Sequence, residues 1–128
     1  MVIEAGHYPE QVGLDAYGNG GFRFAGMSHR GSLLCLPNGM FAWDVTAPAQ
    51  LTLESLAPVL AVADDIDVLF IGLGHDIAAL DPAIRQAFRE RNVIVEAIGT
   101  GGAVRTYNVL FGEQRAVAAA LIAVDRAR

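Results

Sequence analysis

Hydrophobic and polar positions along the chain change their period at about residue 48, and the change divides the fold. Before it, apolar residues alternate. Phe22-Arg23-Phe24 has the pattern of a half-buried strand, broken at Gly26. Ser32 to Leu36 reads as a second strand. Pro37-Asn38-Gly39 turns it into a third, Met40 to Val45, because an Asn-Gly pair accepts positive φ. This is a β-meander. Residues 1–20 are poor in apolar side chains and carry Gly6, Pro9, Gly13 and Gly18, so they predict an irregular lead-in ending in the turn Gly18-Asn19-Gly20-Gly21.

After Pro48 the spacing becomes helical. Leu53, Leu56 and Leu60 share one face, starting near Gln50 or Thr52, with Pro58 as an interior residue that kinks or shortens the helix. Asp64, Asp65 and Asp67 form a polar connection. Val68-Leu69-Phe70-Ile71 is wholly apolar, as in a strand covered on both faces, and Gly72-Leu73-Gly74 closes it. Asp81 is a natural N-cap before Pro82, and Ile84, Ala87 and Phe88 make the buried stripe of the next helix. Arg85, Arg89 and Arg91 load its later turns, and Asn92 stops it. Val93 to Ile98 is a second β-branched strand, so residues 67–98 predict a β-α-β crossover with two parallel strands. Thr100-Gly101-Gly102 opens a third helix with Val104, Tyr107 and Phe111 on one face. Ala116 to Val124 fits either helix, from its alanines, or a buried strand, from its unbroken apolar run.

Composition narrows the function classes. The chain has 128 residues, 53% hydrophobic and 18% charged, which suits one folded domain and excludes a disordered one. There is no lysine, so Schiff-base chemistry and a P-loop site with its lysine are excluded. A net charge of −5 with nine scattered arginines gives no surface for nucleic acid. Cys35 is the only cysteine and sits in an apolar run, which excludes an internal disulfide and multi-cysteine metal sites. No signal peptide and no membrane-spanning run is expected, and the reading is of a cytoplasmic protein without direct membrane insertion. No cofactor and no metal site is expected: His7 and His29 lack ligand spacing, and Asp64, Asp65 and Asp67 lack that of a calcium loop.

Gly20-Gly21-Phe22-Arg23, Gly31-Ser32-Leu33-Leu34, Trp43 and Leu53-Glu54-Ser55-Leu56 are distinctive segments. So are Ile66-Asp67-Val68-Leu69 with Gly72 and Gly74, and above all Arg105-Thr106-Tyr107-Asn108-Val109-Leu110. Together they resemble a widespread family of small proteins of unknown function. Its eukaryotic members include a mitochondrial assembly factor for respiratory complex I (NADH:ubiquinone oxidoreductase). The resemblance runs from about Gly13 onward. It implies a three-layer α/β fold around a mixed central sheet with additional β structure, makes Ala116–Val124 a strand, and carries no catalytic activity across.

Two glycine-containing loops follow the parallel strands at the carboxyl edge of the sheet, where open α/β folds bind ligands. The candidate ligand-binding residues are therefore Gly72, Gly74, His75, Thr100, Gly101, Gly102, Arg105 and Asn108. The N–H groups at the start of the third helix suit an anion, and Arg105 supplies charge one turn in. The competing reading is structural: the glycines permit tight turns, and Arg105 pairs with Glu96 or Asp44. His75-Asp76 invites a catalytic reading, but no nucleophile is identifiable with it. The reading preferred overall is a non-enzymatic interaction or assembly factor, with a protein partner or homo-oligomer and an exposed apolar patch. The alternative is a small-molecule or anion-binding domain, possibly an enzyme, with a cleft between the two loops and Arg105 pointing into it.

Overall fold

A computed structural model describes residues 7–75 and 78–127, with the side chain of His7 excepted. Among the described residues, nine strands form two sheets. Strands β1 (His7–Tyr8), β5 (Ser32–Leu36), β6 (Gly39–Trp43), β7 (Val68–Gly72), β8 (Ile94–Ile98) and β9 (Val117–Leu121) make a six-stranded sheet in the order β1-β6-β5-β9-β7-β8. Strands β2 (Ala16–Gly18), β3 (Gly21–Phe24) and β4 (Met27–Arg30) make a second, antiparallel sheet. The large sheet is mixed: β9 runs antiparallel to β5 and parallel to β7, and β7 runs parallel to β8.

The expected β-α-β unit is present. Helix α2 (Pro82–Arg89) connects β7 to β8, capped by the Asp81 carboxylate accepting from the Ala83 N–H at 2.9 Å. Asn92 ends the turn after it at φ 63°, a conformation asparagine tolerates. Helix α3 (Thr100–Gly112) lies across β9 and β7 on the opposite face. The sheet therefore has a core on each side. One holds Ile84 and Phe88 of α2 against Leu69, Ile71 and Val95; the other holds Val104 and Tyr107 of α3, with Phe22 and Phe24 of β3, against Leu33, Cys35 and Phe70. These are the three layers.

Several elements differ from the sequence reading. The lead-in contains β1 and β2, too short to show a period, and residues 1–6 lie outside the described part. Strand β4 replaces the break expected after Gly26. Its alternation was hidden because one inward position is His29, buried with its ring nitrogen 3.0 Å from the Ser32 carbonyl. The helix expected around Leu53 to Leu60 shrinks to α1 (Ala57–Leu60). Pro58 has no N–H to offer the Glu54 carbonyl, so the bonded turns over residues 52–57 stay separate from the helix, which begins beside the proline. At Pro37-Asn38-Gly39 only Gly39 takes positive φ, at 138°. The Asn-Gly geometry appears instead at Asn19 and Gly20, φ 54° and 77°, where it closes β2 onto β3.

The ambiguous segment is a strand at the centre of the sheet. Ala118, Ala119 and Ala120 are fully buried, and their small side chains let the elements on both faces approach closely. Gln114, at φ 63°, stops α3 before it. Tertiary pairing here overrides the helix preference of alanine.

Burial raises the pKa of two facing groups far above their ordinary values. Desolvation dominates for both the Cys35 thiol and the Tyr107 hydroxyl, which lie in the same buried cluster. Both stay protonated when folded and ionise when unfolded, so the folded state holds more protons and stability falls as pH rises past the ordinary values of 9.0 and 10.0. Each group is expected to remove about 1.4 kcal/mol per pH unit above its ordinary value. Urea denaturation between about pH 8 and 11 checks this. The Cys35→Ala/Tyr107→Phe double variant should show a markedly flatter profile, which is readable because no lysine titrates alongside. An equally steep profile in the double variant would refute the assignment.

Candidate functional site

Strands β7, β8 and β9 all end at one edge of the sheet, and the loops after them meet there. Thr100, fully buried, ties the three together. Its hydroxyl donates to the Ile122 carbonyl at 2.7 Å and accepts from the Gly74 N–H at 2.9 Å, while its own N–H donates to the Gly74 carbonyl at 3.0 Å. The first N–H of α3 is thus already engaged by protein. Gly72 owes its identity to the same crossing, since a Cβ there would stand 3.0 Å from Thr100 Cα and from a Leu121 methyl. Gly74 takes φ 85°, the left-handed region that glycine enters freely.

The remaining candidate residues divide. Gly101 and Gly102 are half-buried at the start of α3, and the Ile98 side chain lies 3.2 Å from where a Cβ on Gly102 would sit. Arg105 is exposed on α3 beside Gly102. Asn108 faces elsewhere: its amide nitrogen donates to the Leu14 carbonyl and its oxygen accepts from the Leu14 N–H, both at 2.8 Å. Tyr107 joins it by donating to the Val12 carbonyl at 2.8 Å, and the Gln11 amide donates to the Val117 carbonyl at 2.7 Å. Half of the Arg-Thr-Tyr-Asn string therefore pins residues 11–14 to the body of the fold. Sequence spacing carries no signal for a contact between residues 94 positions apart.

A hollow of about 420 Å³ does open at this edge, lined by residues 46–48, 73–75 and 122–125. It includes Gly74 and His75 but neither Thr100 nor Arg105. The cleft expected between the two loops is filled by the Thr100 side chain and its bonds, and the open space lies on the other side of Gly74. Asp125 on the far wall is a polar group that the sequence reading did not single out. His75 is exposed, and Asp76 lies outside the described residues. No group of three or more His, Cys, Asp or Glu side chains among the described residues is placed to hold a metal ion.

Residues 14–122 match the family described as protein of unknown function (DUF498/DUF598). The chain belongs to this family. An uncharacterised member from Rhodobacter capsulatus is 38% identical over 109 residues, 85% of this chain and 82% of that protein. The mouse NADH dehydrogenase [ubiquinone] 1 alpha subcomplex assembly factor 3 is 32% identical over 115 residues, 90% of this chain. The chain spans 62% of that relative's length. A crystal structure described as an outer membrane protein from Bartonella henselae is 48% identical, with a TM-score of 0.88 over 92% of this chain and 99% of that one. Among the described residues, no helix is long and apolar enough to cross a membrane.

Proposed function

We propose that this member of the family is a non-enzymatic interaction factor, an assembly or accessory protein that acts by binding another protein. The observation that carries the reading is an apolar surface at the open side of the large sheet. Ile94 is 62% exposed and Ile98 37% on the edge strand β8, and Val109 is 58% exposed on α3, which packs beside it. Exposed large apolar side chains on an edge strand and on the helix beside it are what a contact surface needs. The name assembly factor borne by the mouse relative agrees with a partner-binding role. Arg85 donates from α2 to the Val95 carbonyl on β8, which blunts this edge against indiscriminate strand pairing.

The test is a photo-crosslinking residue at Ile94, with a second probe at the exposed Gln86 of α2 as reference. One discrete partner, or a second copy of the chain, is expected from Ile94 and not from Gln86, with the yield reduced at least tenfold by Val109→Asp. Recovery of chaperones alone from both positions would overturn the proposal.

The hollow beside Gly74 and His75 favours a second reading, a small-molecule or anion-binding domain, as a binder or an enzyme, at the carboxyl edge. Saturable binding of a small anion that disappears in His75→Ala would support it over the first.

A further inference from the structure

We propose that the outer face of the small sheet is a separate binding site, for a small phosphoryl anion of two or more charges held between Arg23 and Arg30. The pleat places both arginines on the solvent side, because Phe22, Phe24, Met27 and His29, which alternate with them, are buried. The register sets their spacing. Arg23 stands opposite Ser28, and Arg30 lies two residues further along the same strand, so the two occupy a cross-strand diagonal with Cβ atoms about 7 Å apart.

The face they flank is concave. A hollow of about 370 Å³ lies there, bordered also by the small residues Ala16, Gly18, Gly21 and Ser28. That volume is at the small end of ligand pockets, roughly 300 Å³ and upward. No residue lining it is a carboxylate. Among the described residues, neither guanidinium has a hydrogen-bond or ion-pair partner. Arg85 and Arg91, by contrast, are bonded to the Val95 carbonyl and to Asp64. Two like charges are thus held side by side on a chain of net charge −5, with nothing of the protein's own between them.

An oxyanion of two or more charges removes that repulsion by bridging the pair. Guanidinium forks match phosphoryl oxygens bidentately, and the Ser28 hydroxyl adds a donor on the same face. The hollow's size favours a small phosphoryl compound over an acidic protein segment, which needs a longer track and apolar contacts as well. The site is on the meander, away from the apolar surface at β8, and stands or falls independently of it.

The test is titration of the ¹⁵N-labelled full chain with pyrophosphate at constant ionic strength, following the Arg23 and Arg30 side-chain and the Gly18, Gly21 and Ser28 backbone signals. Saturable shifts confined to these residues, displaced by inorganic phosphate, are expected. Arg23→Gln/Arg30→Gln should weaken binding at least tenfold while the circular dichroism spectrum is unchanged, since both side chains are exposed. Arg89→Gln, outside the hollow, should leave it intact. Shifts that match a chloride control, or binding retained in the double variant, would overturn the proposal. So would a saturable response to a triglutamate peptide with none to pyrophosphate, which would reassign the face to an acidic protein segment.

Discussion

Gly21→Ala is expected to cost about 3–5 kcal/mol and to detach β3 from β4. A Cβ at this position would stand 2.1 Å from the His29 carbonyl oxygen and 3.1 Å from its carbon. Both are backbone atoms of the paired strand, so no rotamer change relieves the clash and the pairing itself must open. The neighbouring Gly20 supplies the contrast. It takes φ 77° but has nothing within 4 Å of its Cβ position, so Gly20→Ala should cost only the left-handed penalty of about 1–2 kcal/mol. Denaturant unfolding gives the two costs, and amide exchange over residues 16–30 locates the damage. Equal costs for the two alanines would refute the close-approach argument. Because the meander covers the core that holds Phe22, Phe24 and Met27, its loss should also destabilise the main sheet.

The second large effect is expected at Thr100. Thr100→Val keeps the shape but leaves the Ile122 carbonyl and the Gly74 N–H without their partner, at about 1–3 kcal/mol each. Thr100→Ser retains both bonds and loses one methyl, at roughly 1 kcal/mol. The valine variant should therefore melt clearly below the serine variant, by several degrees for a domain of this size. If valine proves equal to or better than serine, the hydroxyl is not what joins the three loops. The pair also separates packing from hydrogen bonding at a position whose side chain fills the cleft once expected to hold a ligand.

How far the sequence reveals this fold depends on where each constraint arises. Strand β7 is legible because it runs through the interior of the sheet as an unbroken apolar run, edge strand β8 because its residues are β-branched, and α2 because Asp81-Pro82 marks its start unambiguously. Strand β4 is obscured by His29, whose burial depends on a carbonyl three residues away that becomes available only once the strand has formed. The candidate site is half legible. The glycines and Thr100 do gather at one edge, as strand direction requires, but whether they bind or merely fasten depends on partners such as Ile122 that local pattern does not specify. Asn108 shares a helix with Thr100, yet its work lies with Leu14, a contact created only by the completed fold.

Strand β9 follows all the other described strands in the chain and yet stands between β5 and β7. Until residues 117–121 emerge, the meander half and the parallel half share no strand pairing, and each presents an unpaired interior edge. The parallel half is complete only at Ile98, so between there and residue 117 the nascent chain carries two half-sheets with open interior edges, whose closure is non-local and therefore slow. For the same reason, changes within residues 117–121 should be tolerated less well than changes in the short strands β1 and β2: β9 is the keystone of the arch.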